Sequence, residues 1–583
     1  LVGGWLAVQI AATLLPVFEA PPWVMRVLVG LLAIGFVAAV LFAWLYELTP
    51  AGLKREREIP EGASITAHTG RRMDRLIVAG LVLAVAVVAA DRMWPGADSM
   101  QSPSSAGAAP TPADPAEPTT EKLTIAVLPF VNLSADAEQE YFSDGITEEI
   151  LNGLARVDAF TVTSRTSSFH FKDKDQPLPE IAKALGVDYV LEGSVRKAGA
   201  QVRITAQLIR VAGDAHLWSD SWTRDLADVF AVQEDIARQV ARELQARLTP
   251  GDEARLGHGG TRDPHAYEAF LRGRHLLAER TIESLESAVV AFRAALDADP
   301  AFVEAWAGLA QAWALLPEYT ANSTTPGRQV RDTYADAKDA ADRALELDPA
   351  SSAALTARAY VRVMHDFDWE RAEADYRAAI AADPRNAVAR QWYGEMLAYQ
   401  RRWDESHEQY DSARASDPLS PILHTSHGMA LTLQGEYAAA IPRFEESLRI
   451  APGFSAGRPV EMFALAELGQ FERAAELLAA SPADLRAYYG PYIAAKRDAS
   501  ATGAAVDAIL AHGAESLVGK PLLLASLGRR DLALDALERL FAHEDPYRVF
   551  LYCMAMYEPL HADPRFAALL RQIGLPRAAP ART

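Results

Sequence analysis

Cysteine is nearly absent, with Cys553 the only one in 583 residues. No internal disulfide can form and no thiolate ligand set can assemble, so Cys553 reads as a small apolar residue of a core. Basic charge is also short. With 57 Lys and Arg against 77 Asp and Glu, the net charge of -20 argues against a phosphate-binding surface, and no nucleic-acid partner is expected. The patterns that hold nucleotide phosphates are missing, since there is no G-x-G-x-x-G and no phosphate-loop lysine. His170 and His216 stand alone, without Cys or carboxylate at ligand spacing, so no metal and no cofactor are expected.

Long apolar runs, by contrast, are present. Residues 1–18 carry only Gln9 and Thr13 as polar breaks, and residues 23–46 carry one charge, Arg26. About 23 helical residues at ~1.5 Å each reach roughly 34 Å, enough to cross a bilayer core. Trp23, Trp44 and Tyr46 stand at the ends, where amphipathic rings favour the interface. A shorter run, 76–90, lies between Arg75 and Asp91-Arg92, and Trp94 completes it. The loop 47–75 holds Lys54, Arg55, Arg57, Arg71, Arg72 and Arg75, whereas the turn 19–22 has no basic residue. The positive-inside rule then places 47–75 in the cytoplasm and everything after residue 91 across the membrane, with Arg26 mildly opposed. The expectation is an integral protein of a bacterial inner membrane, with two spans in 1–46, a third in 76–94 and periplasmic C-terminal domains. The chain opens on Leu1 rather than Met, which leaves an upstream domain open. Residues 95–121, rich in Pro, Ala, Ser and Thr, read as a semi-extended tether.

The next segment, residues 122–250, reads as a compact α/β domain. LTIAVLPF is a buried strand by its continuous apolar run, and residues 138–157 are helical. The segments YVLEGSV, VRITAQLI and HLWSDSW alternate and are separated by turn residues such as Gly199 and Gly213-Asp214. The loop AVLPFVNLSADAEQEYFSDGITEEI has the strand–loop–helix form of many phosphate sites. Its carboxylates, Asp136, Glu138, Asp144, Glu148 and Glu149, would repel a nucleotide. Asp144 is expected to cap the helix that follows it.

Taken in order, that loop with TSRTSSFHFK, LGVDYVLEGSVRKAG, VRITAQLI and HLWSDSWTRDL resembles the TolB amino-terminal-like (FlgO-like) domain over residues 122–248. The resemblance implies a bacterial module that is joined to tetratricopeptide repeats in large proteins. Similar modules follow class III nucleotide cyclase domains and winged-helix regulators. Nothing after Leu248 resembles the β-propeller of TolB itself.

Repeats occupy most of the remaining chain. Ala372, Ser406, Ala440 and Ala474 fall 34 residues apart, as do Tyr376, Tyr410, Phe444 and Leu478. Pro384, Pro418 and Pro452 keep the same step, and so do Gly394 and Gly428. A small residue lets two helices approach, an aromatic ring one turn on fills the gap, and proline stops the second helix. The pattern resembles the tetratricopeptide repeat (TPR) over residues 263–482, with an insertion expected at 317–329. Beyond it, LASLGRRDLALDALERLF reads as one more helix pair, and residues 557–575 resemble the closing helix that caps such arrays, so the repeat region is taken as 263–583.

The fold expected is therefore multi-domain, comprising N-terminal transmembrane helices, a small α/β domain and an all-α TPR solenoid. In stacked helix pairs the first helices line the concave side. Non-core positions there are His365, Gln391, Glu395, Tyr399, Thr425 and Met429, which form the expected groove for a protein or peptide partner. The function expected is a non-enzymatic membrane-anchored scaffold. The alternative is a sensory or regulatory receptor subunit whose output domain is missing or separate.

The basic loop makes the orientation testable. Alkaline phosphatase fused after Leu248 should be active and a fusion near Gly62 inactive; the opposite pattern places the repeats in the cytoplasm.

Overall fold

The computed structural model describes residues 46–49, 52–55, 122–134, 139–157, 159–174, 176–199, 201–225, 229–244, 260–320, 330–454, 456–511, 519–543 and 545–575. The expected spans, apart from Tyr46, and the tether lie outside these residues. Among the described residues no helix is long and apolar enough to cross a membrane. The chain divides into two compact units, Leu1–Glu117 and Pro118–Thr583. In the first, β1 (Tyr46–Thr49) pairs antiparallel with β2 (Gly52–Arg55). Tyr46, expected to end a helical span, thus opens a strand, and Lys54 and Arg55 lie on its partner.

The second unit begins with a sheet in the order β5-β3-β6-β7-β8. Its strands are β3 (Leu123–Val127), β4 (Val131–Asn132), β5 (Phe160–Val162), β6 (Tyr189–Ala198), β7 (Gln201–Arg210) and β8 (Ala215–Asp225), with β4 also paired to β6. β3 runs parallel to both its neighbours, while β6, β7 and β8 form an antiparallel meander. The helices are α1 (Glu140–Ala155), α2 (Arg165–Phe169), α3 (Leu178–Leu185) and α4 (Val229–Glu243). Successive β3 residues face opposite layers. Ile125 and Val127 join α1 and α4 in the main core, while Ala126 joins Ile181 and Leu185 of α3. A strand covered on both faces has no need of polar alternation, which is why LTIAV reads as an unbroken apolar run.

The helix after β4 begins at Glu140, inside the expected 138–157, and is already running when it reaches Asp144, which is therefore not its cap. Phe142, Ile146 and Ile150 make one apolar stripe at four-residue steps, all fully buried, and it pulls the chain into the helix ahead of Asp144. Gln139 stands at the cap, and Asp144 lies in the second turn. Its carboxylate instead meets Lys172 Nζ at 2.6 Å and His275 Nδ1 at 3.3 Å.

Among the described residues eight helix pairs follow: α5 (Pro264–Glu279) with α6 (Ile282–Ala298), α7 (Val303–Thr320) with α8 (Val330–Leu347), and α9 (Ser352–Val361) with α10 (Trp369–Ala382). Then come α11 (Ala387–Tyr399) with α12 (Trp403–Ser416), α13 (Pro421–Gln434) with α14 (Tyr437–Ile450), and α15 (Arg458–Glu467) with α16 (Phe471–Ala479). The last are α17 (Ala483–Arg497) with α18 (Thr502–Ala511) and α19 (Gly519–Ser526) with α20 (Arg530–Ala542). The array thus continues as helix pairs well beyond Pro482. Pro317, expected to begin the insertion, lies inside α7, and residues 321–329 fall outside the described set.

Rings seated on glycines set the spacing within the pairs. A Cβ on Gly273 of α5 or Gly308 of α7 would lie 2.7 or 2.6 Å from the ring of Phe292. The same atom on Gly428 would approach Phe444 to 2.8 Å, whereas on Gly394 it would stand 3.3 Å from Tyr410.

The α/β domain packs on the array at two places far apart in sequence. At α5, Arg274 pairs with Glu148 and, at 3.2 Å, with Glu149, while Glu268 holds Lys197 at 2.5 Å and Tyr141 at 2.6 Å. Further along, Ser164 and Ser167 donate their hydroxyls to Asp417 at 2.5 and 2.7 Å, and Leu419 N–H donates to Ser167 at 2.9 Å.

These contacts set two expectations for stability. Alanine gains ~1 kcal/mol of helix propensity over glycine, while overpacking costs ~1–3 kcal/mol. Gly394→Ala should therefore be neutral or mildly stabilising and Gly428→Ala destabilising, as read by urea unfolding. Burial pushes the Asp144 carboxyl up, but hydrogen bonds from His275 and Lys172 outweigh it and hold the carboxyl below its ordinary value of 3.8. A depressed acid contributes stability above its unfolded value and loses it as pH falls through the folded one. Asp144→Asn should cost ~1–3 kcal/mol at pH 7 and flatten the acid limb below about pH 4, as read by thermal melts from pH 3 to 7.

Candidate protein-binding groove

The six expected groove residues do not form one surface. Gln391, Glu395 and Tyr399 lie at four-residue steps on α11. Gln391 Nε2 donates to Glu395 at 3.0 Å and to Ser426 of α13 at 3.1 Å, tying two first helices together. Thr425 instead donates to Ser447 of α14 at 2.9 Å, and Met429 packs on Leu431, Ala440 and Phe444, so both belong to the inside of their repeat. His365 faces α8, with its ring 5.5 Å from Tyr334 and Nδ1 3.0 Å from Asp366. It lies in a π-helical turn, Arg362–Asp366, whose extra residue rotates the side chain away from the α-helical register. Gln391, Tyr399 and Thr425 are only 2%, 6% and 1% exposed, so the expectation of open groove positions is corrected for these three.

Tyr399 is covered by the chain's own C-terminal segment. After α20 the backbone makes two 3-10 turns, Pro546–Leu551 and Ala555–Leu560, and then α21 (Pro564–Gln572). The first turn lies against α7, the π turn and α11, and the second against α13 and α19. Residues 545–575 therefore form a strap: its two 3-10 turns cross the first helices, while α21, in the segment expected as the closing cap, packs on α20, where Arg565 pairs with Asp535 at 2.6 Å and Glu538 at 2.7 Å.

The strap joins the main core through Val549, Leu551, Leu560, Leu570 and Ile573, and rings and single polar contacts add to that burial. Phe550 meets Tyr399 edge-on at 5.1 Å and stacks with Tyr547 at 5.4 Å. Tyr547 donates its hydroxyl to the Glu318 carbonyl at 3.5 Å, and the Arg548 guanidinium lies 5.2 Å over Phe367. Arg401 pairs with Glu558 at 2.7 Å. Trp369 Nε1–H donates to the Ile573 carbonyl at 2.8 Å, fixing the far end. Cys553 is fully buried, as its sequence context implied, and burial pushes its thiol up.

Three carboxyl groups lie around the strap, with Asp545 buried and Glu318 and Glu395 half-buried. Glu318 accepts from the Tyr360 hydroxyl, and burial, with Glu395 adding and Arg280 opposing, pushes it up to about 8. Burial likewise raises Glu395, against hydrogen bonds from Gln391 and Ser426. Asp545, at the start of the strap, is pushed up to about 6 by burial, against the Tyr547 N–H and the charges of Arg548 and His543. Sequence reasoning missed Glu318 and the strap. The available signal was PYRVFLYCMAMYEPL, an aromatic run without the repeat's spacing.

Comparison with known proteins matches the two parts of this unit to different families. Residues 121–239 match the HilA/YgeH-like transcriptional regulator, second domain, rather than the expected TolB amino-terminal-like family. Residues 397–453 match the tetratricopeptide repeat. A putative adenylate cyclase of Rhizobium meliloti (strain 1021) is 40% identical over 217 residues, which are 37% of this chain and 36% of that protein. The chain thus spans about a third of that relative's length. Among solved structures, a thermophilic TPR protein of Thermus thermophilus is 17% identical, covering 34% of this chain and 98% of its own, with a TM-score of 0.29. TolB from Acinetobacter baumannii is 18% identical over 22% of this chain and 30% of its own, with a TM-score of 0.18. Residues 397–453 are thus similar to the tetratricopeptide repeat, and the helix pairs on either side of them continue a TPR-like solenoid.

Proposed function

We propose that this chain is a regulatory scaffold whose repeats hold a protein or peptide partner. The observation that carries the reading is the face built by the first helices. It carries an amide, a carboxyl group and a ring at Gln391, Glu395 and Tyr399, and it already holds an irregular peptide segment, the strap, which covers that ring. A face that binds 3-10 turns through stacking and single polar anchors is chemically suited to a segment in trans. Its mixture of amide, acid and aromatic groups favours an internal or extended segment over a free carboxylate. The regulatory part of the reading draws on the match of residues 121–239 to a domain of transcriptional regulators and on the likeness to a putative adenylate cyclase. These favour, as a second reading, a receptor-like subunit that passes a signal to a separate output domain. We further propose anchoring in a bacterial inner membrane, on the strength of the apolar runs at 1–46 and 76–94, with the repeats in the periplasm.

The full chain, purified from detergent-solubilised membranes and cross-linked at lysine and carboxyl groups, tests the scaffold reading. Cross-links from a stoichiometric partner should fall on residues 263–543. Cross-links confined to 122–225 would move the interaction to the α/β domain, and a partner-free chain with a measurable turnover of nucleotide would overturn the reading.

A further inference from the structure

The α/β domain and the start of the array enclose a cavity of about 50 Å³. Glu149 and Asn152 of α1, with Arg156 at its C-cap, share one helix face by their spacing and line one side. Tyr267, Phe270 and Arg274 of α5 repeat that spacing and line another. Phe302 and Glu304, at the start of α7, contribute a third. At roughly 10–15 Å³ for each water-sized group, the space suits about four or five non-hydrogen atoms.

We propose that this cavity is a binding site for a small zwitterion, a molecule of glycine's size with its ammonium at Glu304 and its carboxylate at Asn152. The charge of the lining carries the choice of ligand. Two carboxylates, Glu149 and Glu304, face two guanidiniums, Arg156 and Arg274. An ion of one sign meets as much repulsion as attraction there, whereas a dipolar molecule can give each end its counterpart.

The engagement of the lining fixes the orientation. Arg274 is occupied by Glu148 and, at 3.2 Å, by Glu149, and the Tyr267 hydroxyl accepts from Gln233 at 2.6 Å. The Asn152 amide and the Glu304 carboxylate, both half-buried, make no side-chain hydrogen bond or ion pair among the described residues. Partial loss of water around groups without a protein partner is unfavourable, and a ligand that bonds both removes that cost. No three metal-ligating side chains converge among the described residues, so an ammonium is the cation that suits Glu304. The rings of Phe270 and Phe302, 4.7 Å apart, add an apolar wall that also favours an ammonium over its faces.

The place of the cavity gives binding a consequence. α1 belongs to the α/β domain while α5 and α7 open the array, so the ligand touches both sides of the joint that Arg274 makes. Occupancy therefore stabilises that joint, in keeping with the receptor-like reading. The site does not rest on the scaffold reading, because its ligand is measured without any partner.

The full chain is titrated calorimetrically with glycine and alanine, and with ethylamine, acetate and leucine as controls. Glycine or alanine should bind once per chain with a Kd on the order of 0.1–1 mM. Ethylamine and acetate, which each carry one charge, and leucine, which exceeds the space, should bind at least ~10-fold more weakly. Glu304→Gln removes the ammonium's counter-charge and Asn152→Asp repels the carboxylate, and each should weaken binding by a similar factor. Neither change removes a side-chain bond of the protein, so the ligand-free melting temperature should stay nearly unchanged in both. Bound glycine should also slow hydrogen exchange in α1 and α5 together. The proposal is overturned if neither glycine nor alanine binds at millimolar concentrations, if both folded variants retain the affinity, or if ethylamine or acetate binds as tightly as glycine.

Discussion

A phenyl ring cannot occupy the same space as a Cβ, and the repeat array is organised around that fact. Phe292 of α6 lies against Gly273 of α5 and Gly308 of α7, so one ring sets the spacing within its own pair and to the next. Phe444 of α14 meets Gly428 of α13 and Gly457 before α15 in the same way. Each ring is a spacer that fits only while both glycines remain bare, and each links two consecutive repeats. Dense interiors resist added volume, so these contacts act as stops that fix how far one pair can rotate on the next. The angle between consecutive pairs is thereby tied to how closely each ring approaches its glycines.

This part of the structure is legible in the sequence because its partners are close together. The 34-residue steps of Ala372, Tyr376 and Pro384 report contacts made inside one helix pair, and the same short range underlies the meander of β6, β7 and β8. Where the reading departs from the structure, distant partners decide. Asp144 looks like a cap from its immediate neighbours, but its real partners, Lys172 and His275, are 28 and 131 residues away in sequence. The strap is more extreme, since Trp369 is bound by Ile573, 204 residues further on. Nothing in the spacing of PYRVFLYCMAMYEPL says which surface it will cover. The groove residues fail for a related reason. Helical periodicity locates the face of α11 but cannot show that a π turn rotates His365 out of line, or that Thr425 satisfies its hydroxyl on Ser447.

The face under the strap combines aromatic burial, which is strongly favourable, with partial burial of carboxyl groups, which is not. Glu318 and Glu395 stand half-buried there, and the loss of water around them raises both carboxyls, while the hydroxyl of Tyr360 and the amide of Gln391 supply the hydrogen bonds that solvent no longer does.

The link from Ser164 and Ser167 to Asp417 has a mechanical consequence. Arrays of this kind behave as springs, because each pair touches only its neighbours and small rotations add along the stack. Here the α/β domain grips α5 at one end and the turn after α12 at the other, so the first four pairs form the sides of a closed frame. A closed frame cannot uncoil without breaking a joint. The strap ties α13 and α19 back to α7 and α11, so the later pairs are braced as well. A pull applied through the α/β domain therefore reaches Leu419 along the frame and loads those joints rather than free coils.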